Sequence, residues 1–352
     1  MKVAMLVSGG VDSSVALYRL KKQGIDLRAY YLKVWLEDDA KFMGSCPWAE
    51  DLRYVRDTCA YLKIPLSIIP LQQAYYRHVV QYVLTELQQG ATPSPDILCN
   101  SRIKFGAFLH AIGDSFDYVA SGHYAQLRQW KNTTELLCSL DNQKDQTYFL
   151  SQLTQAQLKY LLFPVGDTVK HILREEARRN ALPSSERKDS QGICFLGKIT
   201  YPTFIAYYLG KQAGKIIEKK TGKILGMHHG YWFYTIGQRK GLKLGGGPWY
   251  VVKKDCTENT IYVAKEEDVH SYGCDSFFLR DTNWIPYLPK DGLLQVKIRH
   301  SPEYLEAVFQ SSPRPLVVLK KPERGIAPGQ YAVLYRNQAC LGGGKIVLPL
   351  SE

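Results

Sequence analysis

Residues Val7 to Ser14 read "VSGGVDSS", a run of glycine, carboxylate and hydroxyl groups placed directly after an apolar stretch. Glycine lets a backbone approach an anion closely, and a helix starting here would present free N–H groups and the positive end of its dipole. The serine hydroxyls add donors. No lysine completes the G-x-x-x-x-G-K-[ST] pattern, so the loop is not a Walker A loop and the phosphate it grips need not be a γ-phosphate. A Gly-Gly pair alone also serves as an ordinary tight turn; the full string between strand and helix is more specific.

The second candidate chemistry is that of thiols. Eight cysteines stand at 46, 59, 99, 138, 194, 256, 274 and 340, with no Cys-x-x-Cys and no paired histidine spacing. That argues against a structural zinc site and against a secreted disulfide framework, leaving individual thiols to act. Cys99 lies in "TPSPDILCNSRIKF", where two prolines impose an extended segment before a helical one. A thiol near a helix amino terminus, with Arg102 and Lys104 close in sequence, has reason to ionise, and a buried structural cysteine fits the same facts. Cys194, in "RKDSQGICFLGK", follows a polar basic loop and carries the same two readings.

These groups need a frame. Strand signals at "VAMLV", "LRAYYLKVW", "LSIIPL" and "YVASGHYA" alternate with helical ones at "VALYRLKKQG", "AEDLRYVRDTCAYLKI", "AYYRHVVQYVLTELQQG" and "RIKFGAFLHAIG". The alternation predicts an α/β domain whose parallel sheet carries helices on both faces, with ligands beyond the carboxyl ends of the strands. Helical signals continue through "TQAQLKYLLF" and "VKHILREEARRNAL". From about residue 200 the sequence turns Gly-rich, aromatic and basic, without long helical periods. After about residue 270 short strands alternate, as in "LLQVKIRH", where Leu294, Val296 and Ile298 share one face and Gln295, Lys297 and Arg299 the other. With Pro and Gly turns between them, these predict a small closed barrel. The expected division is 1–200, 201–268 and 269–352.

Forty-five basic residues against 33 acidic ones give a formal charge of +12 over 352 residues. Between Lys211 and Lys254 ten lysines and arginines face one acid, Glu218, a net +9 interleaved with glycine and aromatics. Such a segment suits a phosphate backbone, and a solvated lysine-rich surface is the plainer alternative. No apolar run approaches the roughly 20 residues of a membrane span, and the start of the chain shows no signal-peptide pattern. A cytoplasmic protein is expected.

Taken together, "SGGVDSS", "DILCN" followed by "IKF", "SGHY", "KDQTYFL", "GICFLG", "TIGQRKGL", "PWYVV", "PGQ" and "CLGGG" resemble, in order, the bacterial tRNA-specific 2-thiouridylases, members of the ATP pyrophosphatase (PP-loop) superfamily. The resemblance implies that ATP, with magnesium, adenylates the C2 oxygen of the wobble uridine in a tRNA anticodon stem-loop. Cys194 would then deliver sulfur as a persulfide, received from a donor such as a cysteine desulfurase or sulfur-relay protein. Cys99 would be the partner thiol, ending in a Cys99 to Cys194 disulfide, and Asp96 a general acid or base; Asp96 also reads as a helix cap. ATP contacts transfer to Leu6, Val7, Ser8, Gly9, Gly10, Val11, Asp12, Ser13, Leu32 and Gly122, with Asp12 the first candidate to meet magnesium. RNA contacts transfer to Ser94, Pro95, Asp96, His123, Lys144, Asp145, Gln146, Arg299, His300 and Gln330; His123 alone would otherwise read as a satisfied core histidine.

The sequence departs from the family pattern at Leu32, Ser94, Gln191 and around "RHSPEY", and no catalytic group is lost by these changes. The base must be flipped to reach a buried thiol. Two rival readings are another PP-loop enzyme, thiolating a different base or amidating, and a non-catalytic RNA-binding protein. An amidating enzyme needs a glutamine-hydrolysing part that nothing here resembles, and a mere binder leaves Asp12 and the serines unexplained.

Overall fold

The computed structural model describes residues 1–34, 47–189 and 200–349. Its first layer is a five-stranded parallel sheet in which β1 (Lys2–Leu6) is central and fully apolar on its inner positions. β2 (Asp26–Lys33) and β3 (Leu66–Pro70) lie on one side of it, and β4 (Tyr118–Ser121) on the other. The direction of winding reverses between β1 and β4, which opens a crevice at the carboxyl ends of those two strands. Two apolar clusters, one on each face, hold α1 (Val11–Lys22) and α2 (Pro47–Tyr61) on one side and the helical run 72–112 on the other.

Several elements depart from expectation. The helix after "TPSP" begins at Pro95 itself, because proline at the first helical position has no N–H to lose. From Cys99 to Ala107 that helix widens into π-helical turns, a feature that recurs at functional sites. The stretch "TQAQLKYLLF" is helical only over Gln155–Leu158, closed by a Thr154–Gln157 capping box; the following leucines form an edge strand beside β4. A hairpin, β5 (Ala125–Trp130) and β6 (Thr133–Cys138), follows β4 unannounced, and that edge strand, Leu161–Leu162, is β7. A nine-residue helix, Tyr201–Leu209, precedes the central β segment.

The central unit is a four-stranded sheet of β8 (Gly214–Glu218), β9 (Ile224–His228), β10 (Trp249–Asp255) and β11 (Thr260–Lys265). Beyond it β12 (Cys274–Trp284), β13 (Gly292–Lys297), β14 (Leu305–Gln310), β15 (Leu316–Glu323), β16 (Tyr331–Arg336) and β17 (Ala339–Val347) close into a six-stranded antiparallel barrel through pairing of β12 with β17. Phe277, Phe309, Val317 and Leu334 fill its interior. β17 also pairs with β6, Cys340 opposite Leu136, so the barrel and the hairpin of the first domain share one sheet. The expected alternation along β13 holds, but Lys297 does not face water. The first domain covers that face, and Lys297 is only 3% exposed.

Candidate active site

The loop after β1 turns through Gly9, whose φ of +79° belongs to glycine; a Cβ there would sit 2.6 Å from the Asp51 carbonyl oxygen. Gly10 caps α1 without a side chain, so the first amides of the helix stay open to the crevice. Ser13 and Ser14 donate to the Gly10 carbonyl at 3.0 Å each, and Ser13 Oγ accepts the Ser8 amide at 3.2 Å, which sets the loop rigidly. At the end of β4, Gly122 lies against the first turn of α1; a Cβ would come 2.7 Å from the Ser13 nitrogen. A side chain there would push the strand end off the loop.

A cavity of about 390 Å³ opens over this loop. Leu6, Val7, Ser8, Gly10, Val11, Asp12, Ser13, Leu32 and Gly122 all line it; Gly9 makes the turn behind. Cys99 faces the same cavity, as do His123, Lys144 and Gln146. Open amides, hydroxyls and a close-packed glycine fit a phosphate-bearing nucleotide.

The lysine missing from the loop is supplied from far along the chain. Lys170 Nζ lies 2.6 Å from Asp12 Oδ1 and 2.9 Å from Asp189 Oδ1. Asp189 also holds Lys144 at 3.0 Å and Arg174 at 2.7 Å; burial raises its carboxyl, and Lys170 and Lys144 outweigh that and keep it below the usual carboxylate range. Tyr124 donates to Asp12 at 2.8 Å. Sequence reading missed Lys170, Asp189 and Tyr124. One signal was present: Lys170 opens the helix Lys170–Arg179, where the macrodipole disfavours a cation.

His123 is 9% exposed, its Nδ1 2.8 Å from the Ser121 hydroxyl and its ring against Phe105 and Phe163. Burial, aided by Lys104, pushes its pKa well below the ordinary value, so it stays neutral. The ring is thus core-bonded and also lines the cavity over the loop.

A second cavity, of about 220 Å³, collects Ser94, Pro95, Asp96, Arg299, His300 and Gln330, floored by Tyr148 and Phe149. The expected RNA contacts from both ends of the chain thus meet across the domain boundary. Asp96 sits in the first helical turn, not at the cap, which is Ser94. Asp145 is different: its carboxylate is turned inward and accepts from the Ser139 amide, the Thr147 hydroxyl and Lys297. Cys194 and Gln191 lie outside the described residues.

On the central sheet Tyr262 is flanked by Lys219 and Lys253, their Nζ atoms 4.8 and 5.9 Å from the ring centroid, and Lys265 lies over Trp249 at 5.8 Å. Buried Ile261 and Val263 alternate with Tyr262 and put Tyr262, with Lys219 and Lys253, on the opposite face, while Trp249 beneath Lys265 is itself buried. Among the described residues no cluster of histidine, cysteine and acidic side chains suits a metal ion, and no helix is long and apolar enough to cross a membrane.

A parallel sheet with an open-amide glycine loop at its switch point, carrying a nucleotide-sized cavity, has the build of an ATP-binding PP-loop domain. Residues 1–198 match the family described as tRNA methyl transferase HUP domain, 202–265 the tRNA methyl transferase PRC-barrel domain, and 274–346 the aminomethyltransferase beta-barrel domain. The chain is 42% identical over 354 residues to tRNA-specific 2-thiouridylase MnmA 2 of Bacteroides fragilis strain YCH46, covering 98% of this chain and 100% of that one. It is 42% identical over 359 residues to tRNA-specific 2-thiouridylase MnmA of Parabacteroides distasonis, covering 99% of each. To the protein of that name in Porphyromonas gingivalis strain ATCC 33277 it is 43% identical over 359 residues, covering 98% of this chain and 99% of that one. The chain belongs to the tRNA-specific 2-thiouridylase family.

Proposed function

We propose that the chain converts the wobble uridine of tRNA to 2-thiouridine at the expense of ATP, and that it works in the cytoplasm. The observation that carries the reading is Cys99, a thiol opening into the same cavity as the phosphate-binding loop. Methyl transfer, to which two of the domain descriptions refer, would leave both the loop and this thiol without a task.

The loop amides and Ser13 take the phosphates, and Lys170, released from Asp12, neutralises charge that develops as pyrophosphate leaves. Magnesium would arrive on the phosphates and meet Asp12, a hard oxygen ligand of the kind it prefers. The flipped uridine enters along the helix that begins at Pro95, where Asp96 faces the second cavity and Cys99, one turn on, faces the first. The uridine C2 oxygen attacks the α-phosphorus; sulfur delivered from a Cys194 persulfide attacks C2, and AMP departs with the oxygen. Cys99 attacks the persulfide or resolves it, closing a disulfide with Cys194. A thiol reductant then reopens the disulfide, and a sulfur-donor protein recharges the freed Cys194 as a persulfide. Arg299, His300, Gln330 and the backbone of Lys144 to Gln146 hold the anticodon loop, with the Tyr262 face on the stem.

The test is thiolation of an unmodified anticodon stem-loop by the purified protein with ATP, magnesium, a thiol reductant and a persulfide-level sulfur source (a cysteine desulfurase with cysteine), read by nucleoside mass spectrometry. Wild type should yield 2-thiouridine, and Cys99→Ser and Cys194→Ser none. AMP formation with the uridine unchanged would defeat the substrate assignment and leave the nucleotide site standing.

A further inference from the structure

The two cavities are joined through one buried ion pair. Lys297, on β13 of the barrel, reaches across the domain boundary to Asp145, 3.4 Å away, with side chains 2% and 1% exposed. The ammonium also lies 4.3 Å from the ring centroid of Tyr304 and 5.3 Å from that of Tyr335, so acid and aromatics enclose it. Two residues further along, Arg299 and His300 line the second cavity. His300 Nε2 donates to the Asp145 carbonyl at 3.1 Å, since a carbonyl oxygen accepts only, and its ring lies 4.5 Å from that of Phe149 on the cavity floor.

From Asp145 two short routes run to Asp12. Its preceding neighbour Lys144 holds Asp189, which holds Lys170, which holds Asp12. Its following neighbour Gln146 is paired with Tyr124 through both its side-chain oxygen and its amide, at 2.9 Å each, and Tyr124 donates to Asp12. A displacement of His300 by RNA therefore shifts the backbone of Asp145 between two groups that both end on the phosphate loop. A buried pair is costly to desolvate, and a fold needing stability alone gains as much from apolar side chains. What the pair adds is a fixed register between barrel and loop.

We infer that Lys297 is a positioning residue that couples occupancy of the RNA cavity to the nucleotide site by holding Asp145. The inference rests on the thiouridylase reading. Coupling between two ligands is reciprocal, so it is measurable at equilibrium without turnover. Binding of a fluorescent anticodon stem-loop to the full chain is titrated with and without α,β-methylene-ATP. In wild type the analogue should tighten stem-loop binding about tenfold. In Lys297→Met each ligand alone should bind as in wild type while the tightening falls below about twofold. Should the lone Asp145 charge unfold that variant, Lys297→Met with Asp145→Asn leaves no unpaired buried charge and carries the test. Equal tightening in wild type and variants, with only the melting temperature lowered, overturns the inference, as does a wild type that binds both ligands without coupling. A wild type that binds neither ligand defeats the functional reading beneath it.

Discussion

The cavity over the glycine loop and the cavity at the domain boundary are built on opposite plans. The first is lined from one domain alone, with the loop from Leu6 to Ser13 at its base held by its own hydrogen bonds and by Gly122, and with Leu32, Cys99, Lys170 and Asp189 brought in from later elements of the same domain. The second draws Pro93 to Asp96, Tyr148, Phe149, Arg299, His300 and Gln330 from two domains and exists only while barrel and parallel-sheet domain are docked. A site made within one domain forms when that domain folds; a site made at a seam depends on every contact that closes the seam.

The comparison breaks most sharply at the loop. Asp12→Ala should reduce AMP formation on the order of 10²-fold or more, by removing the carboxylate that aligns Lys170 and Tyr124, while stem-loop affinity stays within about twofold. Gly122→Val should abolish ATP binding, measured calorimetrically, because its Cβ would press on Ser13 and Asp12 backbone atoms 2.7 to 2.8 Å away. Arg299→Ala should do the reverse at the seam: stem-loop affinity falls by ~10-fold and the slope of log affinity against log salt flattens by about one, with ATP binding unchanged. A common loss in both assays from any of these would erase the distinction.

The smallest effect concerns acid stability. The folded chain keeps His123 neutral, whereas the unfolded chain takes up a proton at the ordinary histidine pKa. Below about pH 6.5 the unfolded state binds more protons, so this group lowers stability as pH falls, by at most about 1.4 kcal/mol per unit. Urea unfolding at pH 5 and pH 7 should show that increment in wild type and lose it in His123→Gln.

Legibility in sequence followed the same division. The loop, the parallel sheet and the barrel strands are written in local pattern, and the structure has them. β5 and β6 were missed because "AQLRQW" and "TTELLC" show their apolar sides only once β17 and the Gln155–Leu158 turn cover them. Strand periodicity set Lys297 on the face opposite Leu294 and Val296, and periodicity tells faces apart without saying what covers them. Asp145 entered as an RNA contact only through the family resemblance of Lys144 to Gln146, and no local pattern announced that its carboxylate turns inward to Thr147, Ser139 and Lys297. Lys170 and Asp189 lie 158 and 177 positions from Asp12, beyond any motif window.

The pairing of β6 with β17 also sets an order of events during synthesis. Leu136 and Cys340 are 204 positions apart, and at ~5–20 residues per second the ribosome takes ~10–40 s to travel between them. For that interval the β5–β6 hairpin has one edge unpaired, and the seam that gathers the RNA-facing side chains does not exist. The cavity over the glycine loop can therefore form before the cavity at the domain boundary, so the two are separated in time as well as in space.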